Sequence, residues 1–309
     1  MVTQRTAIDQ RRTVMKESTG DRIFSVFNYL VLTALLVVVI YPLIYITSAS
    51  FSDSVAVSSG RVWLWPVEPS LAGYEAIFKN RLLVSGFANS LFYTTAGTAI
   101  NVVMTILAAY PLSRVDLPGR TYLTFLFFFT TLFSGGLIPT YLVMRDLGLL
   151  NTRWAMLLPG ALGVWNLLIM RTYFRMSIPP ELYEAAQLDG ANDFTYLFRV
   201  VLPLSGPIIA VVALFYAIGH WNAFFSALIY LTDKSLWPLQ LVLRDILVQN
   251  QVDPAMLAGL DARELARRQE LRLLLKYSLI VVATLPLMLV YPFVQKHFVR
   301  GIMLGSVKG

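Results

Sequence analysis

Four stretches of the chain run without a charge for longer than a bilayer core is thick: 23–52, 82–113, 121–144 and 200–232. Two shorter ones, 154–170 and 277–295, stand at the lower limit. About 20 apolar residues make a helix that crosses the hydrocarbon, and a charge at its centre costs roughly 2.5–3.5 kcal/mol on insertion scales. The pattern predicts an all-α, polytopic membrane protein with six transmembrane helices. The first run ends on the small residues Ser48-Ala49-Ser50, as a signal-peptidase site would. It is too long for the apolar part of a signal peptide, so it reads as an uncleaved anchor. The remaining divisions are a polar tail at 1–22, a loop at 53–81, a core of five spans at 82–295 and a second tail at 296–309.

Composition agrees with this class. Of the 309 residues 57% are hydrophobic and only 14% charged, against roughly 25% charged in soluble domains; the mean hydropathy is +0.64. The absence of cysteine excludes disulfides, thiolate metal sites and cysteine nucleophiles. A net charge of +7 is accounted for by Lys and Arg flanking membrane spans, so the bilayer and not nucleic acid is the expected partner. Six spans put both termini on one side. Lys and Arg number 13 on that side and 12 on the other, which barely discriminates. Arg5, Arg11, Arg12, Lys16 and Arg22 precede the first run, however, and the first helix usually sets orientation. The termini and 171–199 are therefore expected in the cytoplasm, and 53–81 and 233–276 outside. Trp63, Trp65 and Pro66 suit an interfacial or packed loop. "LWPLQLVLRDIL" and "ARELARRQELRLLL" in 233–276 read as helices with a solvated charged face.

One polar segment stands out. In 177–203, Pro179 and Pro180 suit a helix first turn, where a missing N–H costs nothing. Glu181 and Glu184 sit near that positive end. Leu182, Ala185 and Ala186 fall on one expected apolar face, and Gly190 can take the left-handed conformation that ends a helix. Asn192 or Asp193 then caps a second helix running through Phe194 and Leu197 to Leu202-Pro203. Connections between helices in bundles usually take 2–8 residues, so a cytoplasmic connector this long suits a docking surface.

These residues carry a resemblance. "EAAQLDGANDFTYLFRVVLP" resembles the EAA loop of ABC importer permeases: Glu184-Ala185-Ala186, Gly190, then Leu202-Pro203, with Val200 where the pattern has Ile. "SFSDSVAVSSGRVWLWP", "NSLFYTT", "SGGLIPTYLV", "GHWNAFFSALIYL" and "QKHFVRGIMLGSVKG" are similar to the carbohydrate-uptake permeases of the type I architecture, most of all those serving oligosaccharides. The resemblance implies that 181–203 is a cytoplasmic coupling helix between spans 4 and 5, seated in a cleft of an ATPase subunit. Glu184, Ala185, Ala186, Asp189, Gly190, Leu202 and Pro203 would carry the coupling. It further implies a second homologous permease subunit, two cytoplasmic ATPase subunits, an extracytoplasmic solute-binding protein, an oligosaccharide substrate and a bacterial plasma membrane. No cofactor is expected on this chain; ATP and Mg belong to the ATPase.

The sequence lacks a phosphate-binding G-x-x-x-x-G-K-[ST] loop; "GIMLGSVKG" has the wrong spacing and no strand before it. His220 and His297 are its only histidines, and no H-E-x-x-H, G-x-S-x-G or D-x-D pattern occurs, so no catalytic role is expected. Asn89, Ser90, Thr94, Thr95, Thr98 and Asn101 in the second span suit helix packing. Ser134-Gly135-Gly136 and Pro139 are expected to break the third, as happens where backbone lines a cavity or packs on protein. A sugar pathway would draw on aromatic faces and amides: Trp221 or Asn222, with His220 nearer a packing interface, and Gly135, Gly136, Tyr141 and Phe225. An ion-gradient-driven carrier is the rival reading, yet it would bury acidic residues in its spans, and these spans hold none. An embedded transferase lacks its carboxylates. Seven Lys and Arg in 233–276 admit an acidic, uronate-type oligosaccharide such as alginate fragments, against which stand six carboxylates in the same loop.

Overall fold

The computed structural model describes residues 18–249, 275–290 and 292. Regular structure among them is helical, with a single isolated bridge between Ser52 and Pro69. Expectations resting on Arg5, Arg11, Arg12, Lys16, His297, the C-terminal tail and most of "ARELARRQELRLLL" fall outside the described residues.

Helix α1 (Thr19–Ser50) begins at Ser18, whose side chain accepts from Asp21 N while Asp21 accepts from the Ser18 backbone, a reciprocal cap. Its 32 residues span about 48 Å at 1.5 Å per residue. Only Ser48, Ala49 and Ser50 are buried. That last turn is held by Ser48 Oγ donating to Leu64 O at 2.6 Å and by Ser278 Oγ donating to Ser50 O at 3.3 Å. The rest of α1 is an uncovered apolar cylinder, as a lipid-facing helix must be. Short helices α2 (Ser54–Ser58) and α3 (Ala72–Lys79) follow in the connector.

Helix α4 (Arg81–Ser113) is the axis of the fold. One face carries Asn89, Ser90, Tyr93, Gly97, Asn101 and Thr105, all buried, spaced three and four apart as helix geometry requires. Three of these side chains, Asn89, Tyr93 and Asn101, bond carbonyls of turns and loops far away in sequence. Asn89 Nδ2 donates to Ser235 O and Trp237 O at 2.7 and 3.1 Å, and Tyr93 OH to Leu236 O at 2.8 Å. Asn101 Nδ2 donates to Gly160 O. An unbonded backbone group in hydrocarbon costs several kcal/mol, so polar residues here protect non-helical segments. Thr94 and Thr98 have buried hydroxyls with no partner among the described residues, so that account does not cover them.

The third apolar run is broken as expected. α5 (Arg120–Leu132) and α6 (Leu137–Asp146) meet at 113°, across a break where Gly136 has φ +86°. The fourth departs from expectation. Residues 154–170 are not one helix: α7 (Trp154–Leu157) stops before Pro159 and Gly160, and α8 (Val164–Ser177) starts after Gly163 and runs beyond the apolar stretch. The fifth is also divided. α9 (Glu181–Leu188) and α10 (Asp193–Tyr196) lead through a π-helical turn, Leu197–Val201, into α11 (Leu202–Leu204). At Ser205 the path bends by 82° into α12 (Gly206–Trp221). α13 (Phe225–Tyr230) and α14 (Leu239–Gln249) follow, and Leu275–Val290 forms α15. Among the described residues two helices, α1 and α4, are long and apolar enough to cross a bilayer alone; counting each bent pair as one span gives four.

Candidate functional site

The polar segment forms a closed helix–turn–helix. α9 starts directly after Pro180 with Glu181 and Glu184 in its first turn. At its end Gly190 N donates to Gln187 O and Ala191 N to Ala186 O, both at 2.9 Å, the paired bonds of a Schellman closure. Gly190 has φ +76°, which a β-carbon would strain. Asn192, not Asp193, caps the second helix, its side chain accepting from Thr195 N at 2.8 Å.

Which side of α9 faces inward differs from the expected Leu182/Ala185/Ala186 face. Tyr183 and Ala186 pack on the core around Tyr110, Leu167, Met170 and Val201. Leu182 and Ala185 point outward with Leu188, which is 90% exposed. The reason is the tyrosine. Its ring stands edge-on to Tyr196 at 5.1 Å, its hydroxyl donates to Asp193 Oδ1 at 3.1 Å, and the Arg114 guanidinium covers its other side. Arg114 is in turn oriented by two bonds to Asp116, at 2.9 and 3.0 Å, and these hold the Asp116 carboxyl below its usual range. The anchor Tyr183–Asp193–Arg114 was not singled out in the sequence; a tyrosine inside an otherwise small and acidic helix start was the available signal.

Of the expected coupling residues, Glu184, Ala185, Asp189 and Gly190 are exposed together on α9 and its turn, and Ala186 is half-buried beneath them. Leu202 packs on the core at the head of α11, and Pro203 beside it is exposed.

The expected pathway residues do not come together. Trp221 is only 2% exposed; its indole N–H donates to Ala283 O at 2.9 Å and its ring packs edge-on against Phe87. Its expected role facing a sugar is therefore corrected: no ring face is open for stacking. His220 sits in the α4 interface, as expected, with Nε2 2.6 Å from Asn101 Oδ1. A β-carbon on Gly97 would overlap the His220 ring, so the glycine admits the histidine. Asn222 is exposed. Tyr141 is half-buried and stacks on Tyr230 with centroids 6.4 Å apart. Gly135 and Gly136 are exposed in the α5–α6 break, and Phe225 is exposed at the start of α13.

Comparison with known proteins decides the family. Residues 100–304 match the binding-protein-dependent transport system inner membrane component. The chain belongs to that family. Among its relatives, the polygalacturonan/rhamnogalacturonan transport system permease protein YtcP of Bacillus subtilis (strain 168) is 42% identical, over 94% of this chain and 99% of its own. Protein LplC of the same organism is 40% identical, over 96% and 98%. A chain of a crystallised bacterial ABC transporter involved in the import of the acidic polysaccharide alginate superposes with a TM-score of 0.83 at 36% identity, covering 91% of this chain and 98% of that one. A permease of this family is a membrane subunit and not itself an enzyme. Membership sets aside both the ion-gradient-driven carrier and the embedded transferase.

Proposed function

We propose that this permease forms half of the pathway of an ATP-driven importer of oligosaccharides. The cargo class is supported by relatives named for polygalacturonan, rhamnogalacturonan and alginate. The complex contains a second homologous permease, two cytoplasmic ATPase subunits that hold ATP and Mg, and an extracytoplasmic solute-binding protein. The chain crosses a bacterial plasma membrane six times, through α1, α4, the bent pair α5–α6, α7–α8, α12 and α15. Both termini and the loop 181–203 are cytoplasmic, and 53–81 and 233–276 face outward.

The observation that carries the coupling role is the two-sidedness of α9. One side is fastened to α4 and α10 through Tyr183. The other presents Leu182, Ala185 and Leu188 beside Glu184 and Asp189, an amphiphilic platform for a partner's cleft. Force applied there passes through the turn at Leu197–Val201 and Leu202-Pro203 into α12. The pathway reading keeps Asn222 and the Gly135–Gly136 break, which are exposed, and drops Trp221.

The test is a pair of substitutions in the assembled complex. Gly190→Val places a β-branched residue in a left-handed turn, and Glu184→Lys reverses charge on the platform. Both variants are expected to reach the membrane yet lose transport and substrate-stimulated ATP hydrolysis. Normal transport by both would remove 181–203 as the coupling element.

A further inference from the structure

At the end of α12 remote from the coupling loop, three elements converge on an open cleft of ≈ 670 Å³. Asn222 and Phe224 come from the segment just past α12, Gln240 and Arg244 from α14, and Ile280 and Thr284 from α15. The floor is apolar: Leu243, Ala283 and Leu287. Gln240 and Arg244 are four residues apart, and so are Ile280 and Thr284, so each pair shares one face of its helix.

The chemistry of this lining is specific. Phe224 is 42% exposed and offers a flat apolar surface of the kind that lies against the C–H face of a sugar ring. Asn222 gives one amide hydrogen to Ile218 O at 2.9 Å, which leaves its carbonyl oxygen free to accept from a hydroxyl. Thr284 donates back into its own helix at 2.8 Å, so its oxygen too is an acceptor. Gln240 is half-buried and its amide has no partner among the described residues. Arg244 is exposed and forms no ion pair or hydrogen bond among the described residues. Among the described residues it is the only charged one in the lining. Its chain neighbour Asp245 is bonded to Lys234 at 3.3 Å and stands about 100° further round the helix. A guanidinium presents a planar fork of donors that matches a carboxylate bidentately. Here it stands beside amides, a hydroxyl and an aromatic face, with no partner among the described residues.

We propose that this cleft is a sugar-binding subsite of the translocation pathway, and that Arg244 takes the carboxylate of an acidic sugar residue. The inference rests on the import reading above and adds to it the charge of the cargo and the residue that selects it. A neutral oligosaccharide would meet the amides and the ring but leave the guanidinium unmatched. A uronate oligomer satisfies all of them at once.

The experiment uses the complete transporter in proteoliposomes with its solute-binding protein. The probes are tri- to pentamers of galacturonate and of mannuronate and guluronate, each with its carboxyl-reduced neutral counterpart. Arg244→Gln is expected to lower uptake of the acidic series about tenfold, the size of one lost hydrogen-bonded charge contact, with assembly and basal ATP hydrolysis unchanged. Arg244→Lys, which keeps the charge but not the planar fork, is expected to recover only part of it, and uptake of reduced oligomers is expected to be the same in all three proteins. Equal loss in the Gln and Lys variants, or no loss in either, overturns the subsite. Wild-type carriage of neutral oligomers alone overturns it while import stands. Carriage of no oligosaccharide at all removes the import reading as well.

Discussion

The guanidinium carbon of Arg114 lies 3.2 Å above the centre of the Tyr183 ring. Arg114 follows the last residue of α4, and Tyr183 sits in the first turns of α9, so this contact joins the longest apolar helix of the core directly to the helix–turn–helix proposed to couple. A cation over an aromatic face stabilises by about 0.5–2 kcal/mol, more as water is excluded. Tyr183→Ala removes it together with the bond to Asp193 and is expected to uncouple ATP hydrolysis from uptake, cutting transport about tenfold or more. Tyr183→Phe keeps the ring and should lose much less. Uptake and ATP turnover measured on the same vesicles distinguish the two. Equal behaviour of the two variants would mean that the ring contact transmits nothing.

The His220–Gly97 contact gives a packing prediction. Gly97→Ala forces a methyl group into the imidazole, and overpacking of this kind costs typically 1–3 kcal/mol. The variant is expected to melt earlier in detergent than wild type. Adding His220→Ala should recover part of the loss, because the obstruction is gone even though the bond to Asn101 goes with it. Independent, additive effects would refute the clash.

Trp221 is expected to behave as a core residue. Trp221→Ala opens a large cavity against Phe87 and Ala283 and should cost about 3–5 kcal/mol, seen as reduced yield and a lower Tm. Trp221→Phe should be milder. Uptake per folded complex is expected to stay near wild type in Trp221→Phe. A selective drop in uptake at normal stability would return this residue to the pathway.

Topology can be read with thiol labelling, since the natural chain has no cysteine. Ser58 and Leu188 are both exposed. Ser58→Cys is expected to react with an impermeant reagent added to intact cells, the outer membrane being permeabilised if there is one. Leu188→Cys should react only after lysis. The reverse pattern would invert the chain and place α9 where no ATPase could reach it.

The sequence was most readable where the signal is local. Uncharged runs mark the apolar helices, Gly135-Gly136 marks the α5–α6 break, and Gly190 with Asn192 marks the turn between α9 and α10. Each depends on residues within one or two turns of each other. The segmentation of 154–170 does not show in a reading for charge alone, because Pro159, Gly160 and Gly163, the residues that break it, carry none. The orientation of Trp221 could not be read either: consecutive helical residues fan round the axis, and Ala283, its partner, is 62 positions away. The inward face of α9 is set by Tyr183, whose partners Arg114 and Asp193 lie outside the helix, so the spacing of Leu182, Ala185 and Ala186 alone does not give it. The cleft around Arg244 draws on three segments that only the folded chain brings together.

The turn at 158–163 interrupts an apolar run, and it is held from two sides. Asn101 on α4 bonds Gly160 O, and Tyr216 on α12 accepts from Gly163 N at 2.9 Å while sharing a 2.8 Å bond with Thr105 on α4. Pulling α4 and α12 apart would strand these backbone groups in hydrocarbon, at several kcal/mol each. The three parts therefore travel as one block. The unwound turn is thus a weld between two helices, and separating α4 from α12 would break three side-chain bonds at once.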